Sequence, residues 1–491
     1  MKSLGSSVVP IGDEVCVTHQ DEVVGSECRM GGPSLALVNR EGQVIGTRGE
    51  YLRLLVRQHQ HVFADKAQST IRCAPVRVFL TKKTPFKAKP ARFSRDDLLV
   101  LKKLLVRWET DNIIEDSTSP YCSTAHFVPR KNGEPRLVTN YIPMNRRVVW
   151  DNYPLPSTVD MLQSLEGAKY SSALNLAEGF MQVPLNRQDR HKLAFVTPLG
   201  MFQFTRLPYG YINAPSAFQR VMNDILWEGL YKRCVVYIDD ILLFGSTYEE
   251  QRENLEWVLN KCAECNVKLR LSKCQFGVEK VDFLGFQLSG DGIAPCLSKF
   301  DAVFDNVPTS KEEVKTLLGK LGFYSRFIEG FSTITRPLRM LARKKEPFAI
   351  GREHIDSLKK LETNLQNAEC QFIPAKDSRK IVDLITRQQN IEVLIRTEHN
   401  QIIGRASQLL TDTEARYTSA EKAILALILA YRHYRSLLSS NTVFKTSIKD
   451  LPRIMTLVNM PERVERLLLR LPPDVNPHVI GVTLITELYF R

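Results

Sequence analysis

Cys234-Val-Val-Tyr-Ile-Asp-Asp-Ile-Leu-Leu-Phe244 is the stretch on which the reading of this chain turns. Its two apolar runs, Cys234 to Ile238 and Ile241 to Phe244, have the length and residue types of buried strands. The two acids between them, Asp239 and Asp240, therefore fall at the turn of a hairpin. Adjacent carboxylates on so rigid a platform repel each other unless cations neutralise them, and a two-metal phosphoryl-transfer site exploits that situation. A lone Asp-Asp pair is more simply read as a tight turn without metal, so the surrounding sequence has to decide.

Outward from the hairpin, short strands alternate with helices. Strands are expected at Tyr170 to Leu176, Leu193 to Val196 and Met201 to Phe204, and helices at Ala214 to Trp227 and Glu249 to Cys265. Further upstream, Tyr51 to Val62 has helical spacing, Val76 to Leu80 alternates like a strand, and Asp96 to Asp116 reads as one long amphipathic helix. Two strand-like runs, Ala125 to Val128 and Pro135 to Thr139, flank Arg130-Lys-Asn-Gly133, whose Asn-Gly pair signals a tight turn with a basic tip. This interleaving predicts an α+β layer of antiparallel strands on helices. Beyond Thr309 the pattern turns helical, with Lys311 to Leu321, Tyr324 to Phe331 and Arg336 to Ala342. A last α/β domain is expected from Lys380 to Thr386, Glu392 to Thr397, Gln401 to Ala406 and the helical Thr418 to Leu438. Residues 1 to about 50, rich in Gly, Ser and Val, read as an extension without chemistry.

Composition bounds the class. With 43% hydrophobic and 25% charged residues over 491 positions, the chain is a multidomain globular protein and disorder is not its theme. Lys and Arg outnumber Asp and Glu by 67 to 54, and the +13 charge attracts polyanions such as nucleic acid. Ten cysteines without a secretory signal at the start predict reduced thiols in an intracellular, soluble protein. Cys262, Cys265 and Cys274 lack an obvious fourth ligand and read as ordinary thiols rather than a zinc site. No apolar run approaches the ~20 residues of a membrane span.

Ordered strings then add a resemblance. Asp111-Asn-Ile-Ile-Glu-Asp-Ser-Thr-Ser-Pro120, Tyr153-Pro-Leu-Pro156, Leu207-Pro-Tyr-Gly210 and Asn213-Ala-Pro-Ser-Ala-Phe-Gln219 precede the Asp-Asp hairpin. Leu271-Ser-Lys-Cys274, Val281-Asp-Phe-Leu-Gly285 and Leu318-Gly-Lys-Leu-Gly-Phe-Tyr-Ser-Arg-Phe-Ile328 follow it. In order and spacing they resemble the reverse transcriptase and ribonuclease H segment of gypsy-type LTR retrotransposon Pol polyproteins. The resemblance implies a right-hand polymerase fold of fingers, palm and thumb, followed by an α/β ribonuclease H-like domain. It divides the chain into an extension (1–50), fingers and lead-in helices (51–160), palm with interleaved fingers elements (161–295), helical thumb (296–370) and ribonuclease H-like domain (371–491).

The same resemblance assigns roles. Asp239 and Asp240 correspond to two of three palm carboxylates that hold Mg²⁺, and Lys273 to a general acid for the pyrophosphate leaving group. Arg136, with Lys131 in the hairpin beside it, corresponds to the fingers cations that grip the nucleotide triphosphate. Phe180 corresponds to the steric gate against the ribose 2′-hydroxyl, and Tyr209 packs near the nucleotide. Phe283, Leu284 and Gly285 correspond to the primer grip. RNA or an RNA/DNA duplex is the implied partner, with a homo- or heteromeric protein assembly as a further expectation.

Five positions depart from the pattern. Where the family carries Leu-Asp-Leu at the end of the strand from Tyr170, this chain has Asn175, and Glu178 nearby is expected to point elsewhere. Asn140 and Ile142 replace two charged residues of the fingers. In the last domain Glu421 matches one acid, but the strand position of the first acid is read as Arg387 and a second acid as Ser447, with Glu487 near a fourth. No Asp-Ser/Thr-Gly protease motif, zinc knuckle or integrase His/Cys cluster occurs in the sequence. The chain is therefore expected to be a catalytically impaired, domesticated reverse transcriptase-like protein that binds nucleic acid or serves as a structural subunit. Its ribonuclease H activity is expected to be absent. The alternative is an active RNA-directed DNA polymerase.

Overall fold

The computed structural model describes residues 51–491 apart from 68, 130–134, 297–303, 305–306, 344–346, 376, 458–459, 477–479, 481–484 and 487–491. Before residue 51 it describes the backbone of short strands at 8–11, 14–17, 28–30, 36–38 and 44–47 and the first turn of a helix. Most of the 1–50 extension, Lys131 with its Asn-Gly tip, and Glu487 lie outside the described residues. The chain divides into two compact units, Met1–Ser157 with Ala168–Val281, and Thr158–Gly167 with Asp282–Arg491.

In the first unit the central strand Tyr170–Asn175 pairs antiparallel with Asp240–Gly245 on one side and Gln275–Val278 on the other. Asp240–Gly245 in turn forms the expected hairpin with Cys234–Tyr237. The strands are buried because helices Ala214–Leu226 and Tyr248–Glu264 supply apolar faces, with Phe218, Met222, Leu255, Val258 and Leu259 all inaccessible. Thr247 caps the second helix by accepting from Glu250 N–H, which satisfies one of its orphan donors. A second sheet of five strands runs in the order Ile114–Asp116, Gly200–Phe204, Ala194–Thr197, Ser123–Val128 and Arg136–Asn140.

Two sequence expectations for this unit are corrected. The helix expected over 96–116 runs from Arg95 to Thr110, opened by a Ser94/Asp97 capping box. Asn112 takes a left-handed conformation (φ 51°) and breaks it, and Ile114–Asp116 becomes an edge strand against Gly200–Phe204. The Val76–Leu80 strand does not form. Its backbone bonds go instead to Pro184 C=O from Val76 N–H and to the Asp189 carboxylate from Val78 N–H, leaving only isolated bridges to Leu185 and Val148.

The second unit contains the helices Lys311–Phe323, Phe331–Ile334, Arg336–Leu341 and Arg352–Gln366 around a core of Val314, Leu321, Leu338, Leu361 and Leu365. Ser310 caps the first by accepting from Glu313 N–H. The expected helix over 324–331 is a single 3-10 turn, Ser325–Phe327, followed by an extended Ile328. A five-stranded sheet follows in the order Ile402–Leu409, Asn390–Thr397, Lys380–Thr386, Thr442–Thr446 and Ile485–Thr486, covered by the long helix Ser419–Tyr434. Arg326 ties these two parts together, donating to Gln371 Oε1 at 2.6 Å and to Ile403 C=O at 3.2 Å. Among the described residues no helix is long and apolar enough to cross a membrane.

Candidate active site

The Asp-Asp turn is built by a strained backbone and a buried amide. Ile238 adopts φ 53°, a conformation that β-branched residues avoid. It is held there by Gln219, an inaccessible residue whose Oε1 accepts from Ile238 N–H at 2.8 Å while its Nε2 donates to Val236 C=O at 3.0 Å. Gln219 ends the string Asn213 to Gln219, but nothing in the sequence marked it as the residue that shapes the hairpin. Asp239 sits in the turn, and Asp240 begins the outgoing strand rather than sharing the turn.

The register of that strand sets Asp240 directly opposite Asn175. Asn175 Nδ2 donates to Asp240 Oδ1 at 2.7 Å. A carboxylate at Asn175 would offer no hydrogen to this contact and would repel Asp240, so the amide makes the corner self-sufficient without a cation. Asp239 has the opposite surroundings. Its Oδ1 is buried without a hydrogen-bond partner. Burial pushes its carboxyl up to about 6, with Asp240 adding to the rise and Lys273 and Arg136 opposing it. Space for this carboxylate exists because residue 179 is glycine: a Cβ there would lie 2.2 Å from Asp239 Oδ1.

A cavity of about 430 Å³ opens over these groups, lined among others by Arg136, Asn175, Glu178, Tyr209, Asp239, Arg270 and Lys273. The structure thus brings Asn175, Asp239, Arg136, Tyr209 and Lys273 together. The Arg136 guanidinium stacks on the Tyr209 ring at 4.0 Å, and burial followed by the Asp239 charge holds the Tyr209 hydroxyl above its usual range. Phe180 is buried behind Tyr209 (5.1 Å between ring centres) and against Phe218 (5.3 Å). Glu178 lines the cavity from a left-handed backbone (φ 51°), and its Oε2 accepts from Ala67 N–H at 3.2 Å. Arg206, also unmarked by the sequence reading, is buried below and donates to the carbonyls of Ala67, Met181 and Asp111. Asn140 accepts from Ile142 N–H and Ile142 is exposed, so neither contributes a charge.

The donor set can be tested against divalent cations. Asp239 with its orphaned oxygen and Asp240 beside it fit one ion. Two ions need a third carboxylate, and that corner presents an amide hydrogen. Among the described residues no group of three or more His, Cys, Asp or Glu side chains is placed to hold a metal. Cys262 is inaccessible, and burial pushes its thiol up.

The remaining site residues lie in the second unit. Phe283 is buried, and Leu284 (φ 50°) and Gly285 (φ 88°) form the turn into Phe286–Ser289. Tyr324 donates from its hydroxyl to Gly285 C=O at 3.2 Å, and a Cβ on residue 285 would meet that hydroxyl at 2.6 Å. Glu421 is buried in a capping box with Thr418, and Arg463 approaches its Oε1 at 3.4 Å. Arg387 is not on the strand, as the sequence reading has it. Lys380–Thr386 ends one residue earlier, and Arg387 begins the turn, where its N–H donates to Asn390 C=O. The parallel register sets Leu384 opposite Thr446, so the strand residue nearest in step with Ser447 is Ile385.

The family described as reverse transcriptase (RNA-dependent DNA polymerase) matches residues 128–288. The retrovirus-related Pol polyprotein from transposon 297 of Drosophila melanogaster is 30% identical over 365 residues, 72% of this chain and 34% of that protein. The corresponding polyprotein from transposon opus of the same fly is 33% identical over 371 residues, 71% of this chain and 37% of that protein. The chain thus spans about a third of the length of these relatives. Among solved structures, the foamy viral protease-reverse transcriptase in complex with an RNA/DNA hybrid superposes over 93% of this chain and 62% of that one, with a TM-score of 0.78 at 21% identity. The same viral protein in complex with double-stranded DNA gives a TM-score of 0.77 at 21% identity, over 93% of this chain and 95% of that one. The polymerase fold with a ribonuclease H-like domain expected from the sequence is therefore present, and the chain belongs to the reverse transcriptase family, as a relative of the Pol polyproteins of gypsy-type retrotransposons.

Proposed function

We propose that this chain is a nucleic-acid-binding reverse transcriptase-like protein whose polymerase turnover is impaired at Asn175 and whose ribonuclease H-like domain is inactive. The observation that carries the reading is the 2.7 Å bond from Asn175 Nδ2 to Asp240 Oδ1, which puts a donor where a third metal-binding carboxylate is needed. Mg²⁺ held by Asp239 and Asp240 would polarise the primer hydroxyl and the transferring phosphate. This chain's own side chains do the rest. Arg136, pre-oriented by the Tyr209 ring, forks onto triphosphate oxygens; Tyr209, backed by the buried Phe180, walls the sugar; Lys273 faces the leaving group. Such a site would keep its nucleotide-binding side chains while lacking the carboxylate that would hold a second ion for in-line transfer. If that loss amounts to ~4 kcal/mol of transition-state stabilisation, turnover falls by roughly a thousandfold.

RNA/DNA duplex is the partner best supported, because the chain is basic and the foamy viral protein of like fold was solved with an RNA/DNA hybrid. Glu421, committed to Thr418 and Arg463, and Ser447 leave the last domain without the acids for two-metal hydrolysis. Primer extension on an RNA template with Mg²⁺ or Mn²⁺ tests the reading. Duplex binding with feeble extension, raised by Asn175→Asp, supports it. Robust extension abolished by Asp239→Asn favours the second reading, an active RNA-directed DNA polymerase, for which the retained Asp239, Asp240 and Lys273 speak. A structural role within a protein assembly is a corollary that copurification tests.

A further inference from the structure

One corner of the ribonuclease H-like domain has a charge arrangement that its lost chemistry does not explain. The turn 387–390 and the first turns of the helix Ser419–Tyr434 gather four cations. Arg387 Nε stands 3.9 Å from Glu392 Oε1, Lys422 Nζ donates to Gln388 C=O at 3.2 Å, and Arg336 donates to Gln389 Oε1. Arg463 Nη1 reaches Glu421 Oε1 at 3.4 Å, and its guanidinium lies over the Tyr417 ring at 5.1 Å.

The signs are sorted by depth. The side chains of Glu392 and Glu421 are 10% and 9% exposed, whereas those of Arg387 and Arg463 are 57% and 60% exposed. The two acids therefore act as buried anchors for guanidinium groups that stay exposed to solvent. Guanidinium forks are suited to phosphate oxygens. An acidic metal site would need two dications to bring a phosphodiester to this corner; a cationic one needs none.

We infer that this corner binds the sugar-phosphate backbone of a nucleic acid duplex directly, through Arg387, Lys422 and Arg463, without a divalent cation. The inference rests on the nucleic-acid-binding function proposed above. It makes the domain a clamp that holds a duplex it does not cut.

The test uses the full chain and a labelled RNA/DNA hybrid, with affinity followed by fluorescence anisotropy from low to high salt, in Mg²⁺ and in EDTA. Each phosphate neutralised contributes about 0.7–0.9 to the slope of log affinity against log salt, so R387Q/K422Q/R463Q is expected to shallow the slope by about 2 to 3. Affinity at low salt should fall at least about tenfold, equally in EDTA. Because Arg463→Gln removes the ion-pair partner of the buried Glu421, Arg387→Gln alone serves as the second variant; exposed and outside the core, it should shallow the slope by about 1. An unchanged slope in both variants, with wild-type binding intact, overturns this inference and leaves the proposed function standing. Loss of the wild-type contribution in EDTA overturns the metal-free contact. Polyglutamate competing as well as the hybrid at equal charge overturns the assignment to nucleic acid. Failure of the wild-type chain to bind the hybrid at all overturns both readings.

Discussion

Restoring the missing acid, Asn175→Asp, should make the palm less stable without metal and more active with it. In the wild type the Asn175 amide donates to Asp240 across 2.7 Å, a bond to a charged acceptor of about 1.5–3 kcal/mol. A carboxylate in its place loses that bond and stands about 3 Å from a like charge, which at an effective dielectric near 20 is a repulsion of about 5 kcal/mol. Asp239, already pushed up to about 6 by burial and by Asp240, adds to the strain. Relaxation and protonation will absorb part of this, so a net loss of about 3 kcal/mol is expected. That is a fall of roughly 6–12 °C in melting temperature for a unit of this size. Divalent cation should reverse the loss, since ligand at a hundred times its Kd restores about 2.7 kcal/mol. Wild-type melting should respond to Mg²⁺ far less. The assay pairs thermal melting over a Mg²⁺ titration with single-turnover primer extension, where the variant should gain up to about a thousandfold. A variant that melts like wild type in EDTA, gains nothing from Mg²⁺ and extends no faster would refute the view that Asn175 is what disables the palm.

Gly179→Ala would drive a methyl into the Asp239 carboxylate and the Phe218 ring, and should cost about 1–3 kcal/mol in denaturant unfolding and abolish any cation response of the melting curve. Gln219→Leu leaves the Ile238 N–H without its partner and should lower stability by about 1–3 kcal/mol, with the hairpin amides exchanging faster in hydrogen-exchange measurements. Arg136→Lys keeps the charge but loses the fork over Tyr209, and should weaken nucleotide binding by roughly tenfold in equilibrium titration while leaving melting unchanged. Asp189 gives the pH dependence. Burial opposes its charge, but bonds from Lys192, Arg77 and Val78 N–H overrule burial and hold the carboxyl below its ordinary value. Its contribution is therefore complete above the unfolded value of about 4 and is lost as pH falls through the lower folded value. Asp189→Asn should remove about 2 kcal/mol at pH 7 and flatten the acid limb of the stability profile below about pH 4.

How much of this was legible in the sequence depended on whether a residue's type revealed its task. The palm strands and the hairpin came through because apolar runs of strand length bounded two acids, and both ends of each strand lay within a residue or two of expectation. The 96–116 helix was overrun because one left-handed Asn112 carries no more signal than any other asparagine. Val76–Leu80 misled because alternation marks sidedness and not partnership, and its donors went to a loop carbonyl and to Asp189. Gln219 and Arg206 were invisible for the same reason: their importance lies in backbone groups that only the folded chain brings within reach. At the site, Asn175 was recognisable as a departure, yet only its register with Asp240 gives the departure a physical sense.

That register also bears on how the two active sites relate. In the palm the Asn175 amide bonds to Asp240; in the ribonuclease H-like domain Glu392 and Glu421 are paired with guanidinium groups. In both places a carboxylate has, beside it, a donor that belongs to the chain. An unpaired buried carboxylate costs several kcal/mol, so loss of metal binding without such donors would have destabilised the fold that carries it. Under the proposed function the two arrangements are of one physical kind, in which donors of the chain do electrostatic work that cations would otherwise do. A double change should expose this. Asn175→Ala leaves Asp240 with neither amide nor metal and is expected to destabilise the chain by about 2 kcal/mol, while adding Asp240→Asn to it should recover most of that loss. Additive losses in the double variant, measured by denaturant unfolding, would mean that the Asn175–Asp240 contact carries no such role.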